Sequence, residues 1–333
     1  MVGNSRLWHP WEEGVLDELS DQHQSIIWRA KPDPGLQGRP VTAAIQSFKP
    51  DAKALQSMGL TLLETGQNLD IALVEITRSK PETFGNIAEA LTALKPGGWC
   101  VVDGVKTDGI DSVTKSLKSH FDIDGSYSKA HGRVVWFQRP DQLPPIVADW
   151  ANVMTPTEVE PGYVTVPGIF SEKGADAGSK FLLDHIPQSL SGKLADLGAG
   201  WGWLSGEALK QCPDITEIHL FEAEGKALDC ARKNVTDPRA SFHWTDVTRE
   251  ALGQFDIVIM NPPFHTSRTA DPQLGIKFIT AAAAALHRGG TLYMVANRQL
   301  PYEAELDRRF AKWDEIATSQ QYKIIVAKRP KGK

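Results

Sequence analysis

Cysteine is scarce. The 333 residues hold three, Cys100, Cys212 and Cys230, without CxxC spacing and without a nearby His pair. Neither a disulfide framework nor a zinc centre is expected, and three buried thiols in a reducing cytoplasm are. Long apolar runs are missing too. Nothing approaches the ~18 residues of a membrane span, and the start "MVGNSRLWHPWEEG" has no apolar signal core, so no membrane partner and a cytoplasmic location are expected. Excess positive charge is the third absence. A net charge of −5 argues against a broad basic coat that binds nucleic acid nonspecifically. It leaves room for a structured RNA held by a local patch, for which "KRPKGK" (328–333) and the stretch 106–118 are candidates. The rest of the composition, 41% hydrophobic and 23% charged, is that of a globular protein. The length is about that of two domains.

What is present is a repeating alternation. In the second half "GKLADLGAG" reads as a strand into a turn, "LSGEALKQC" as a helix and "EIHLFEAE" as a strand. "GKALDCARKNV" continues as a helix, "FDIVIMN" as a strand, "FITAAAAALHRGG" as a helix with a Gly stop and "TLYMVAN" as a strand. This pattern predicts a parallel, doubly wound α/β sheet with helices on both faces. The first half repeats it more faintly. "FKPDAKAL" (48–55) lines up with "FEAEGKAL" (221–228), "LDIALVEIT" (69–77) with "FDIVIMNPP" (255–263), and "LKPGGWCVV" (94–102) with "LHRGGTLYM" (286–294). We therefore expect two tandem Rossmann-like domains from an internal duplication. The first spans 1–140, a Pro-rich linker 141–150, and the second 151–333. In this alignment Lys49 stands where the second copy has Glu222, and Glu75-Ile76-Thr77 where it has Asn261-Pro262-Pro263. The first copy also lacks a Gly-rich turn. It is read as degenerate: the fold is kept and the small-molecule site is lost.

"ADLGAGWGWLS" (195–205) sets Gly198, Gly200 and Gly202 in a G-x-G-x-G turn behind a strand, led by Asp196. Such glycines let a backbone approach a ligand and open the next helix. The third Gly comes one residue early for a dinucleotide turn, which favours S-adenosylmethionine (SAM) over NAD. Glu222 closes the next strand, where a carboxylate can accept from both ribose hydroxyls of an adenosine. Asp246, in "FHWTDV", falls at the third strand's end, within reach of an adenine amine.

"DIVIMNPPFHTS" (256–267) carries the chemistry. A buried strand stops at Asn261-Pro262-Pro263-Phe264, where two prolines remove two donors and fix two φ angles. An aromatic amine is a poor nucleophile because its lone pair is delocalised. Two rigid acceptors, the Asn261 side-chain oxygen and the Pro262 carbonyl, can draw its hydrogens into one arrangement and turn the lone pair toward a sulfonium methyl. Phe264 can stack on the base. His265, Arg268 and Lys277 are candidates for the substrate entrance.

With these residues in view, the second half resembles the class I SAM-dependent methyltransferases, and in particular the duplicated bacterial small-subunit ribosomal RNA guanine-N2 methyltransferases. The matching text is "VTVPGIFSEKGADAGSKFLL", "DLGAGWGWLS", "FDIVIMNPPFH", "RGGTLYMVANRQLPY" and "FAKWDEIATSQQYKIIVAKR". The resemblance implies methylation of a guanine N2 amine in ribosomal RNA or the small subunit; a monomer and no metal are expected. It implies that residues near Phe170 and Gly178 close over SAM. Asp196, Gly198, Gly200, Gly202, Glu222, Asp246 and Asn261 would contact the cofactor, and Asn261 to Phe264 would hold the guanine. The degenerate copy would help bind or fold the RNA substrate, or serve a structural role. Trp201 and Trp203 depart from the smaller side chains usual in relatives. Trp8, Trp11 and Trp28 are read as core. Competing readings are an adenine-N6 methyltransferase of tRNA or rRNA, a glutamine-N5 protein methyltransferase, and a non-catalytic RNA-binding protein.

Overall fold

Strand β1 (Ser25–Trp28) is buried along its whole length, and around it the first half of the chain builds a sheet. β2 (Ala43–Ile45), β3 (Thr61–Leu62), β4 (Leu69–Glu75), β5 (Leu94–Val105), β6 (Gly125–Lys129) and β7 (Gly132–Gln138) complete it in the order β3-β2-β1-β4-β5-β7-β6. Helices α1 (His9–Glu12), α2 (Lys49–Ser57), α3 (Lys80–Ala93), α4 (Ile110–Lys118) and α5 (Ile146–Asn152) accompany it. The computed structural model describes residues 6–16, 23–39, 41, 43–263 and 272–331. Phe264, His265 and Arg268, and Gly332 and Lys333 of the basic tail, lie outside the described residues.

The second half begins with a hairpin, β8 (Thr157–Glu160) and β9 (Tyr163–Thr165), followed by α6 (Ala177–Leu183). Then come β10 (Gly192–Leu197), α7 (Trp203–Gln211), β11 (Ile215–Glu222), α8 (Gly225–Asn234), β12 (Ala240–Trp244) and β13 (Phe255–Met260). α9 (Pro272–Ala285), β14 (Leu286–Asn297), α10 (Glu303–Arg309), β15 (Phe310–Thr318) and β16 (Tyr322–Pro330) close the chain. Their sheet runs β12-β11-β10-β13-β14-β16-β15. Each position matches the first sheet strand for strand, as a duplicated Rossmann-like fold requires. One feature differs from a purely parallel sheet. β7 and β16 run antiparallel to β5 and β14, because the short turns before them can only return a strand antiparallel.

Both sheets are covered on two faces, and strand side chains alternate between the two cores. Along β13, Ile257 and Ile259 face the core shared with α6, α7 and α8, while Val258 and Met260 face the core shared with α9 and α10. Along β4, Ala72 and Val74 alternate with Ile71 and Leu73 in the same way. Trp8 and Trp28 are fully buried in the two cores of this unit, and Trp11 packs at the edge of the one that holds Trp8, which is the core role expected of them.

The stretch 141–150 does not form a free linker. Leu143, Ile146, Val147 and Trp150 pack into the first unit's core, and Trp150 stacks on Phe84 with ring centroids 4.5 Å apart. Their i, i+3, i+4, i+7 spacing is a helical face, and the proline Pro145 sits at the N-cap of α5. The first unit comprises Met1–Thr155 with Val166–Gly168, and the second Pro156–Thr165 with Ile169–Lys333.

Equivalent hydrogen bonds show what stands in the first unit where the second has its turn and its corner. Asp70 accepts from Gln24 N at 2.9 Å, as Asp256 accepts from Lys193 N at 2.9 Å. Phe48 N donates to Gln46 Oε1 at 2.9 Å, as Glu224 N donates to Glu222 Oε1 at 2.7 Å. Gln46, not Lys49, therefore stands in the place of Glu222, and Lys49 opens α2 where Gly225 opens α8. The shared letters "KAL" mislead by three residues because a slip of about one helical turn leaves the apolar face in place. Arg29 takes the place of Gly198: each has positive φ, 56° and 78°, and each donates its N–H to the neighbouring strand, to Ile45 O and Phe221 O. The Arg29 guanidinium donates to Gln46 Oε1 and Ser47 Oγ and lies 3.5 Å from Glu82. Glu75 stands in the place of Asn261, and burial pushes its carboxyl up to about 8 even beside Lys31. The strand ends of this unit are filled by its own charged side chains.

Candidate active site

The turn after β10 explains its glycines. Gly198, Gly200 and Gly202 have φ of 78°, 56° and 84°, the left-handed region that side chains disfavour. A Cβ on Gly202 would lie 3.0 Å from Val235 and 3.1 Å from Ala231, so α7 could not close on α8. Around Gly200 nothing lies within 4 Å of an added Cβ, because this residue faces an open cleft. About 410 Å3 of space lies in the cleft, open solvent included. Phe170, Ser171, Asp176 and Ser179 line it together with Asp196, Gly198, Ala199, Gly200 and Trp201. Trp203, Leu204 and Asn261 complete it.

Asp196 is buried at the end of β10 and accepts from Ser205 Oγ at 2.7 Å. Burial, with the nearby Glu222 charge, pushes its carboxyl up to about 7 against that hydrogen bond. Glu222 lies beside the wall and grips the turn from below. Its Oε2 accepts from Gly200 N at 2.8 Å and its Oε1 from Glu224 N at 2.7 Å. Burial raises its pKa, and these backbone donors oppose the shift. Asp246 serves its own turn after β12. Its Oδ1 accepts from Thr248 N at 3.0 Å and Thr248 Oγ1 at 2.6 Å, and Arg249 lies 3.6 Å from Oδ2. Asp246 is not on the described cleft wall.

At the corner after β13, Asn261 Nδ2 donates to Asp176 Oδ2 at 2.8 Å and to Ser179 Oγ at 2.9 Å. Its Oδ1 receives no hydrogen bond among the described residues. Asp176 also caps α6, accepting from Ser179 N at 3.0 Å. Gly178 is not on the wall, but its missing side chain makes room: a Cβ there would lie 2.9 Å from Asp176 Oδ2 and 3.2 Å from the Tyr322 ring. Burial, and then the Asp176 charge, raises the Tyr322 phenol. Pro262 is buried behind the corner and Pro263 exposed beyond it. Pro263 Cδ comes within 4.0 Å of a Cβ built on Gly198, so the Gly turn and the corner are neighbours. Phe170 is 58% exposed on the rim.

The two unusual tryptophans separate. Trp201 is buried with its ring edge-on to Tyr163, centroids 5.7 Å apart. Trp203 is half-buried on the cleft wall, with Lys180 Nζ 5.9 Å from its ring centre. Asn234 ties this region together. Its amide donates to Val164 O and Trp201 O, both at 2.8 Å, and accepts from Val164 N at 2.7 Å. Sequence reasoning singled out neither Asn234, Asp176 nor Ser179. Asp176 carried a readable signal, since an Asp just ahead of a helical pattern is a preferred N-cap, but its contact with Asn261 did not. Among the described residues no group of three or more His, Cys, Asp or Glu side chains could hold a metal ion, and no helix is long and apolar enough to cross a membrane.

Glu222→Gln keeps an acceptor for the i+2 N–H, as at Gln46, but sets an amide NH2 against Gly200 N–H in place of an acceptor, so the turn is expected to loosen. Calorimetric titration is expected to show SAM affinity falling about 10- to 100-fold, the worth of a charge-assisted hydrogen bond. Unchanged affinity would confine Glu222 to holding the turn.

Comparison with known proteins places this arrangement. The family model for the methyltransferase small domain matches residues 162–326. The chain is 31% identical over 273 residues to the ribosomal RNA small subunit methyltransferase C of Shewanella loihica, covering 80% of this chain and 79% of that protein. With the same enzyme of Shewanella piezotolerans it shares 30% over 286 residues, 82% and 81% of the two chains. Among solved structures, the T. thermophilus 16S rRNA N2 G1207 methyltransferase in complex with AdoMet and guanosine superposes with a TM-score of 0.78 at 19% identity. That match covers 98% of this chain and 93% of that one; it establishes the tandem two-unit fold. On the strength of the sequence relatives, the chain belongs to the ribosomal RNA small subunit methyltransferase C family.

Proposed function

We propose that this chain transfers the methyl group of SAM to the exocyclic N2 amine of a guanine in small-subunit ribosomal RNA, acting as a monomer in the cytoplasm. The observation that carries the reading is Asn261: its amide nitrogen is spent on Asp176 and Ser179, and its oxygen is left to accept in a cleft lined by the Gly turn. The residues present fit the cofactor. Gly200 faces open space that a side chain would fill, and Asp196 supplies a buried carboxylate for a cationic ligand. When bound, SAM supplies an electrophilic methyl. The protein's part is positional. Asn261 Oδ1 and the Pro262 carbonyl accept the two amine hydrogens, and the rigid double proline keeps both acceptors fixed. No base is needed before attack, since the amine nitrogen becomes acidic only once methylated. Asp196, Glu222 and the Gly turn bind and orient the cofactor in this reading, with Phe170 at the rim. The 1–155 unit, its own site closed by Arg29, Gln46 and Glu75, acts as an RNA-binding element.

Methyl transfer from labelled SAM to unmodified small subunits, large subunits and tRNA, followed by nucleoside mass spectrometry, tests the proposal. N2-methylguanosine on the small subunit is expected. N6-methyladenosine as sole product would overturn the base assignment, and no transfer to any RNA would overturn the function.

A further inference from the structure

A primary amide can lie two ways round, and only one of them suits an amine substrate. With oxygen toward the cleft, Asn261 accepts from the amine; turned over, it would point its own N–H groups at another donor. We propose that Asp176 is a positioning residue for methyl transfer, holding the Asn261 amide with its nitrogen in the protein and its oxygen toward the cleft. The inference rests on the reading of Asn261 as the amine's acceptor.

The geometry admits one orientation. An ionised carboxylate only accepts, so a reversed amide would set Asn261 oxygen against Asp176 Oδ2 at the present 2.8 Å separation. Asp176 is itself braced. Ser179 N donates to the same Oδ2, and the ring of Tyr322 and the bare Cα of Gly178 leave a slot for the carboxylate. The preceding loop is tied down by Ala175 N donating to Glu160 Oε1 at 3.1 Å. Ser179 Oγ is the second partner of Asn261 Nδ2, at 2.9 Å. A residue 85 positions away thereby decides which atom of Asn261 meets the substrate. Preorganised polar groups supply much of the rate in such sites, and the groups that hold them still matter nearly as much.

Capping and positioning can be separated. Asp176→Ser keeps an N-cap hydroxyl for α6 but is too short to reach Asn261. For this variant we expect a melting temperature near wild type, SAM affinity within about threefold, KM for small subunits within about threefold, and kcat lower by about 10²-fold. Asp176→Asn, whose Oδ1 can accept from both N–H groups, should recover most of the loss. Wild-type kcat in Asp176→Ser would overturn the proposal. A fall in SAM affinity in step with kcat would also overturn it, making Asp176 a cofactor ligand. A readout free of any substrate is solvent exchange of the Asn261 side-chain amide protons, assigned by their loss in Asn261→Asp. It should be slow in the wild type and about tenfold faster in Asp176→Ser. Equal rates would overturn the positioning role even if the enzyme methylates RNA. Failure of the functional reading shows differently, as a wild-type enzyme that transfers no methyl group to RNA.

Discussion

Asn261→Ala is expected to lower kcat for methyl transfer by about 10²- to 10³-fold, the usual cost of removing one preorganised polar group from a reacting centre. SAM affinity should stay within a few fold, because Asn261 is one of many residues on the cleft, the Gly turn and Asp196 line the rest, and Glu222 holds that turn from outside the lining. The physical reason is directional. The ring holds the lone pair of an aromatic amine, and only acceptors fixed in place pull the hydrogens into an arrangement that frees it. Alanine also leaves Asp176 and Ser179 without the Nδ2 donor, at a stability cost of about 1 kcal/mol. Asn261→Asp should be no better at pH 8, since it brings a second carboxylate against Asp176. Single-turnover rates with saturating SAM, beside calorimetric SAM binding, make the test. A parallel loss of both would move Asn261 from the reacting amine to the cofactor.

Asp196→Asn should act on stability and on binding in opposite directions, with a sign that depends on pH. The carboxyl of Asp196 is pushed from 3.8 to about 7, first by burial and then by Glu222. A raised acid favours the folded state fully below its unfolded pKa, and that contribution is lost as pH rises through the folded value. The free enzyme should therefore be destabilised by this group between pH 4 and pH 7, by up to about 4 kcal/mol at 1.36 kcal/mol per unit. Asp196→Asn, which can still accept from Ser205 Oγ, should unfold at higher urea than the wild type at pH 8 and at about the same urea near pH 4. Binding runs the other way. A cationic sulfonium and ammonium favour the ionised carboxylate, so wild-type SAM affinity should rise from pH 5.5 toward 7.5 and level off above. The Asn variant should bind weakly at every pH, with no such rise. If it keeps wild-type affinity at pH 8, Asp196 does not face the positive end of the cofactor.

The parts of this protein legible in its sequence are those governed by neighbours along the chain. Gly198, Gly200 and Gly202 announce a turn because three left-handed φ angles in five residues suit almost nothing else. Asn261-Pro262-Pro263 announces a rigid corner because proline sets φ locally. Strand and helix alternation, read twice, announced both sheets. Where the reading slipped, the signal was degenerate. In sequence Lys49 aligns with Glu222 because a helical pattern looks the same after a shift of three, and only the hydrogen bond from Phe48 N to Gln46 shows the true partner. The stretch 141–150 looked like a linker by its prolines, while its apolar face carried the opposite message: Val147 and Trp150 are core.

By itself, then, the sequence determined the architecture, the duplication and the two short segments that meet across the cleft, since each follows from periodicity or from a residue's own backbone limits. Tertiary structure alone decided how the polar groups are spent. Glu222 is turned onto the backbone of Gly200, Asp246 is held by Thr248, and Asp176 reaches Asn261 from far along the chain. A carboxylate has several possible partners within any short stretch of sequence, and only folding, which strips away water and leaves few donors within reach, selects among them.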